Sequence, residues 1–195
     1  RLRKSKAKVY VLLGDSEFSE GQIYEALQLA SHYQLNNLVG ILDVNRLGQR
    51  GETMLGWDIY TYRKRVSSFG WDAIVVENGN NLKEVQKAFE KASQQSKPLM
   101  IIAKTIKGKG VSFLENQENW HVKTLPKDQL DQAVKELGEV DLNLKGTIAK
   151  PDSTGGISPS TGGRETLDRT RLEYTVGQEI STREAYGEAI KLVGQ

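Results

Sequence analysis

The spacing of apolar and polar residues changes period several times along this chain, and each change marks an element. "KVYVLL" (Lys8–Leu13) is an unbroken aliphatic and β-branched run and reads as a short buried strand. After the corner "GDSEFSEGQ", residues Ile23, Ala26, Leu27, Ala30 and Tyr33 recur at helical spacing, with His32 inside that helix as a structural residue. "LVGILDV" reads as a second buried strand, and "NRLGQRGE" as a loop broken by Gly48 and Gly51. Ile59, Tyr62, Val66 and Phe69 predict a helix closed by Gly70, and "WDAIVV" a third strand. Leu82, Val85, Ala88, Phe89 and Ala92 predict the next helix, and "PLMIIAKT" the fourth strand.

Strands alternating with helices predict an α/β domain: a parallel sheet with helices on both faces. Right-handed crossovers gather the C-terminal ends of the strands on one edge, which is where ligands bind in such sheets. The second half of the chain changes character. Leu130, Ala133, Val134 and Leu137 predict a short helix after Pro126. From Gly138 to Thr175 the pattern dissolves around "GTIAKPDSTGGISPSTGG", whose composition predicts a flexible linker. "STREAYGEAIKLVG" is helical again, with Ser181 or Thr182 as N-cap and Ala185, Ala189 and Ile190 inward. The expected organisation is a domain over 1–137, a linker over 138–175, and the beginning of a further domain over 176–195.

Composition excludes more than it selects. A hydrophobic content of 37% is enough for a core, and a net charge of +2 gives no reason to invoke nucleic acid. The cations ahead of Val9 read as a solvated lead-in. The chain has no cysteine, which removes disulfide and thiolate chemistry and suits a reducing cytoplasm. No apolar run approaches a membrane span, and no signal peptide is visible. A start at Arg1 rather than methionine points to processing or to a piece of a longer chain.

Candidate chemistry sits at the strand ends. Asp15 and Asn45 close the first two predicted strands, separated by about one strand–helix–strand unit. If those strands are neighbours, their ends lie roughly 5 Å apart. Both side chains offer oxygen, as Mg²⁺ or Ca²⁺ requires, and the Leu47 carbonyl could add a third ligand. The helix beginning near Gly21 turns its N-terminus to the same edge and favours an anion there. An ordinary turn or cap accounts for the same residues, and spacing leaves both readings open. "KGKG" (Lys107–Gly110) is similarly either a phosphate clamp or a plain turn. His121, in "ENWHVK", lies in a loop at no apolar spacing and is the better chemical candidate of the two histidines.

The stretch "LLGDSEFSEGQIYEALQLASHYQLNNLVGILDVNRLGQ" resembles the thiamine-diphosphate signature of transketolases, GDG followed some thirty residues later by an asparagine. The resemblance continues through "FGWDAIVVENGN", "IIAKTIKGKGVSFLENQENWHVKTLP" and "STREAYGEAIKLVG". It implies that 1–137 is the C-terminal part of the diphosphate-binding domain and 176–195 the beginning of the pyrimidine-binding domain. It implies thiamine diphosphate with Mg²⁺ or Ca²⁺ as cofactors, Asp15, Asn45 and the Leu47 carbonyl as metal ligands, and a diphosphate contact from the Ser16 N–H. Lys107 and Gln49 would lie near the cofactor. His121 would lie between diphosphate and sugar, as a catalytic residue. Glu20 and Glu25 would serve the interface of a homodimer.

The implied reaction moves a two-carbon ketol unit from a ketose phosphate to an aldose phosphate. The cofactor-activating glutamate and the upstream histidines of the family fall outside the chain, so it is expected to be inactive alone. Glu17 has no expected role beyond that of a solvated acid. Serine replaces the second glycine of GDG at Ser16, and Val122 follows His121 where glycine is common. Two other readings stay open: a non-catalytic cofactor- or partner-binding module, or another thiamine-diphosphate enzyme such as a deoxyxylulose-phosphate synthase or a 2-oxo acid dehydrogenase component.

Overall fold

The computed structural model describes residues 7–139, 141, 143–147, 174, 175 and 177–193. The chain divides into two units, one up to Thr147 and one from Ile148 onward. In the first, strands β1 (Val9–Gly14), β2 (Leu38–Val44), β3 (Asp72–Val76) and β4 (Leu99–Lys104) form a parallel sheet in the order β1-β2-β4-β3. Helices α1 (Gly21–His32), α2 (Ile59–Ser68) and α3 (Leu82–Ala92) connect them, and α4 (Lys127–Leu137) follows.

The sheet has a core on each face, as the alternation of strands and helices predicts. Leu27 and Ala30 of α1 and Ile59, Tyr62 and Val66 of α2 pack with Leu42, Val44, Met100 and Ile102 on one side. Ala88 and Ala92 of α3 pack with Val39, Leu99, Ile101 and Ala103 on the other. Successive residues of β4 serve opposite cores, which is why "LMIIA" is apolar throughout. In this unit the starts of α2 and α3 are capped by side chains: Asp58 accepts the Thr61 N–H at 3.0 Å, and Asn81 accepts the Lys83 N–H at 3.0 Å. Each such cap is worth about 1 kcal/mol.

Several expectations are corrected. β1 is not buried: Val9, Tyr10, Val11 and Leu12 are exposed, Leu12 to 70%. An aliphatic run fits an edge strand as well as a central one, and among the described residues β1 is an edge flanked by β2 alone. His32 is the exposed last residue of α1, edge-on to Tyr33 with ring centroids 5.0 Å apart. Ala26 and Tyr33 are also exposed, because α1 buries a narrow stripe through Leu27 and Ala30. On α3, Leu82 is exposed, and α4 buries Ala133 but leaves Leu130, Val134 and Leu137 exposed.

Most of the expected linker, 138–175, lies outside the described residues. In the second unit, α5 (Thr182–Val193) begins with a reciprocal cap. The Ser181 hydroxyl accepts the Glu184 N–H at 3.2 Å, while the Glu184 carboxylate accepts the Ser181 N–H at 3.2 Å. Ser181 is therefore the N-cap. Ala185 and Ala189 are half-buried, but Ile190 is exposed.

Candidate functional site

β1 and β2 run side by side with Gly14 opposite Asp43, so Asp15 and Asn45 emerge from adjoining strand ends on one sheet edge. The ladder runs one step further, the Asp15 N–H donating to the Asp43 carbonyl at 3.1 Å. A single 3-10 turn, Glu17–Ser19, then separates β1 from α1. Phe18 holds this turn down. It is fully buried and meets Tyr24 and Tyr62 edge-on at centroid distances of 5.6 and 5.5 Å. Truncating so buried a ring typically costs about 3–5 kcal/mol. Glu17 has the role the sequence did not give it: its carboxylate accepts the Gly14 N–H at 2.7 Å and closes the corner.

Asp15 is 2% exposed, the one buried charged side chain among the described residues. One carboxylate oxygen accepts the Ser16 N–H at 2.9 Å; the other accepts the Arg46 N–H at 2.6 Å and the Thr53 hydroxyl at 3.3 Å. Burial pushes its pKa above the ordinary value, and the neighbouring Asp43 charge adds to this, while these hydrogen bonds pull it down. No cationic side chain among the described residues forms an ion pair with it.

Asn45 folds its Oδ1 onto the Leu47 N–H at 3.1 Å and donates from Nδ2 to Asp43 at 3.2 Å. Asp43 in turn accepts the Thr105 hydroxyl. The Leu47 carbonyl faces the Lys107 ammonium at 3.4 Å, and the same ammonium lies 3.2 Å from His121 Nδ1. Asp15, Asn45, Leu47, Lys107 and His121 thus belong to one connected set. His121 itself is exposed.

Beside this set lies a recess of about 330 Å³, lined among others by Ser16, Gly48, Gln49, Thr53 and Met54. Ser16 sits at φ −66° and ψ −45°, an ordinary right-handed conformation, so serine costs nothing where glycine is usual in the pattern. Its N–H, expected to face a diphosphate, here donates to Asp15. Gly108 shows the opposite requirement. At φ +74° its Cβ would stand 2.6 Å from the Leu114 carbonyl, so "KGKG" is a turn that only glycine closes. Glu20 and Glu25 are exposed, Glu20 in the N-cap position of α1, where it accepts a hydrogen bond from Gln22 at 2.5 Å.

Among the described residues no three of His, Cys, Asp and Glu gather into a metal site of their own. A divalent ion here would draw on the Asp15 carboxylate, the Asn45 amide oxygen and the Leu47 carbonyl, with the remainder supplied by phosphate and water. That all-oxygen set fits Mg²⁺ or Ca²⁺, and a buried carboxylate without an ion-pair partner is the group that such an ion would neutralise.

Sequence reasoning missed Asp43, Arg46, Thr53, Thr105 and Asn116. Asp43 carried a signal: two residues before Asn45, it shares a strand face with it. Arg46 and Asn116 read as ordinary loop polars.

Comparison with known proteins shows the family to which the chain is similar. Residues 3–145 match the family model described as transketolase, thiamine diphosphate binding domain. The chain is 42% identical over 191 residues to the transketolase of Homo sapiens, an alignment that covers 98% of this chain and 30% of that protein. It is similar to the crystal structure of transketolase from Campylobacter jejuni, with a TM-score of 0.63 and 31% identity over 69% of this chain and 21% of that one. It is also similar to transketolase from Pichia stipitis in complex with sedoheptulose-7-phosphate, with a TM-score of 0.60 and 28% identity over 68% of this chain and 20% of that one. The chain spans about 30% of the length of the curated relatives it matches.

Proposed function

This chain belongs to the transketolase family, and we propose that it supplies the diphosphate-binding side of an enzyme that transfers a two-carbon ketol unit between sugar phosphates. When bound, thiamine diphosphate supplies the nucleophilic carbon and the electron sink for that transfer. Asp15, Asn45 and the Leu47 carbonyl would hold the Mg²⁺ or Ca²⁺ that tethers its diphosphate. Ser16, Gly48 and Gln49 give the approach, since two small residues let backbone come close to phosphate.

His121 moves or holds a proton at the sugar. The Lys107 ammonium can only donate, so its contact with Nδ1 makes that nitrogen the acceptor and leaves the neutral ring's proton on Nε2. His121 then presents a hydrogen-bond donor to a reacting oxygen. The rest of the site belongs to a longer protein, so the isolated chain is inactive. That protein works as a homodimer in the cytoplasm, with the exposed Glu20 and Glu25 at the subunit interface.

The observation that carries this reading is the buried, cation-free Asp15 at the junction of two strand ends. Calorimetric titration of the chain with thiamine diphosphate, with and without Mg²⁺, tests it. Binding should require the metal and be lost in Asp15→Ala. Metal-independent binding, or an unchanged titration in the variant, removes the assigned ligands.

A further inference from the structure

Besides Asp15 and Ser16 on the corner after β1, the groups just assigned lie on two separate loops, residues 45–53 after β2 and residues 105–126 after β4. Something must hold the two loops in register, or Lys107 and His121 would not stay beside Leu47. We infer that Arg46 is a positioning residue: its side chain is the strut between the metal-side loop and the loop that carries Lys107 and His121. This rests on the ketol-transferase reading above for the roles of Lys107 and His121, but not for the strut itself.

Arg46 Nε donates to the Asn116 side-chain oxygen at 2.8 Å, and a terminal nitrogen reaches the Asn116 carbonyl at 3.4 Å. Asn116 in turn donates its N–H to the Lys107 carbonyl at 2.8 Å, so it is the residue that closes the 107–116 loop on the lysine. At the other end, the Arg46 N–H is the donor held by Asp15. A continuous path therefore runs from the buried carboxylate through Arg46 and Asn116 to Lys107 and His121.

The strut is built rather than incidental. The guanidinium lies over the Trp57 ring, 5.0 Å from its centroid, and Trp57 is fixed by its own N–H to the Thr105 carbonyl at 3.1 Å. Glu52 adds an ion pair at 3.8 Å, while the Arg46 side chain is only 19% exposed. Both ends adopt left-handed backbone, φ +64° at Arg46 and +56° at Asn116, conformations that cost energy unless the contacts repay it. The two-point grip on Asn116 needs the planar guanidinium; a lysine ammonium, a single point of charge, cannot reproduce it.

The test uses Arg46→Ala, Arg46→Lys and two changes at Asn116. Asn116→Gly removes the side chain without straining positive φ, and Asn116→Asp keeps the acceptor. Amide hydrogen exchange across residues 107–121 is read on the chain itself, and kcat and KM on the full-length enzyme. Loss of a hydrogen bond to a charged group should raise exchange and lower kcat roughly tenfold in Arg46→Ala and Asn116→Gly. KM should stay within about twofold, since positioning rather than binding is lost. The Arg46→Ala/Asn116→Gly pair should do no more than the worse single change, Arg46→Lys should not rescue, and Asn116→Asp should behave as the parent.

Additive losses, rescue by lysine, or unchanged exchange in Arg46→Ala with folding intact by circular dichroism would overturn the strut. If the parent enzyme shows no ketol transfer, the functional reading fails, while the exchange data still decide the inference.

Discussion

A Cβ placed on Gly48 would stand 2.9 Å from the Ser16 hydroxyl, so the corner after β1 and the loop after β2 share one small space. In the usual pattern position 16 is glycine; here serine fills the gap, and a methyl group on Gly48 would have to push the Ser16 hydroxyl aside. Gly48→Ala should cost up to about 1 kcal/mol through crowding. In a Ser16→Gly background the same change should be nearly free. Denaturant unfolding of the four species closes the cycle, and equal costs in both backgrounds would show that the two residues do not compete.

His121 is exposed, so its loss removes no packing. In the full-length enzyme, His121→Ala should lower kcat roughly a hundredfold or more, as expected for a residue that handles protons in the transition state. The melting temperature should not move. Steady-state kinetics beside calorimetry separates the two effects, and parent-level turnover would take the histidine out of the mechanism.

Val122 sits at φ +58°, a left-handed conformation that a β-branched residue adopts poorly, and its side chain is 92% exposed. The position wants glycine, the residue usual there in the family pattern. Left-handed strain of about 1–2 kcal/mol is set against roughly 0.5–1 kcal/mol of glycine entropy. Val122→Gly should therefore stabilise the chain by up to about 1 kcal/mol. A lower denaturation midpoint would show the valine to be unstrained.

α4 is latched to the loop ahead of it by Glu136, which accepts the Ser112 N–H at 2.5 Å and the Ser112 hydroxyl at 2.8 Å. The Ser112 N–H, with Gln132 and the Ser112 hydroxyl behind it, holds this carboxyl below its ordinary 4.5. A lowered folded pKa means the latch is fully made above 4.5 and is lost as pH falls through the folded value. Glu115 follows the same course, lowered first by the Gly110 N–H and then by Lys109. Exchange at the Ser112 amide should therefore quicken on acidification below 4.5 beyond its intrinsic pH dependence, and Glu136→Gln should flatten that step. A step of equal size in the variant would place its origin elsewhere.

How far the sequence reached depended on the kind of signal. Where packing imposed a period, elements were legible: β2 buries Val39 on one side and Leu42 and Val44 on the other, and α2 buries Ile59, Tyr62 and Val66 as its spacing implies. The order of strands was not. "VYVLL" would read the same at the centre of a sheet, and only the neighbours in space make it an edge. At the site, Asp15 and Asn45 stood out as oxygen-bearing residues at neighbouring strand ends, but spacing left a turn or cap equally open, and only the family resemblance gave them ligand roles. Arg46 did not stand out, because its partner Asn116 lies seventy positions away and nothing local marks the pair. The same holds for Thr53, whose hydroxyl meets Asp15 across a distance no periodicity encodes.

Among the described residues no strand lies alongside the outer row of β1 amides and carbonyls, and the side chains above and below that row are apolar. Such a margin is a template on which a second molecule can add its own strand. Concentration therefore belongs among the conditions of any binding or melting measurement on the isolated chain. Pairing at this edge would rise with concentration and fall on dilution. A charge introduced at Val9, the exposed residue at the end of β1 away from Asp15, would be the simplest way to keep a concentrated sample monomeric without touching the site.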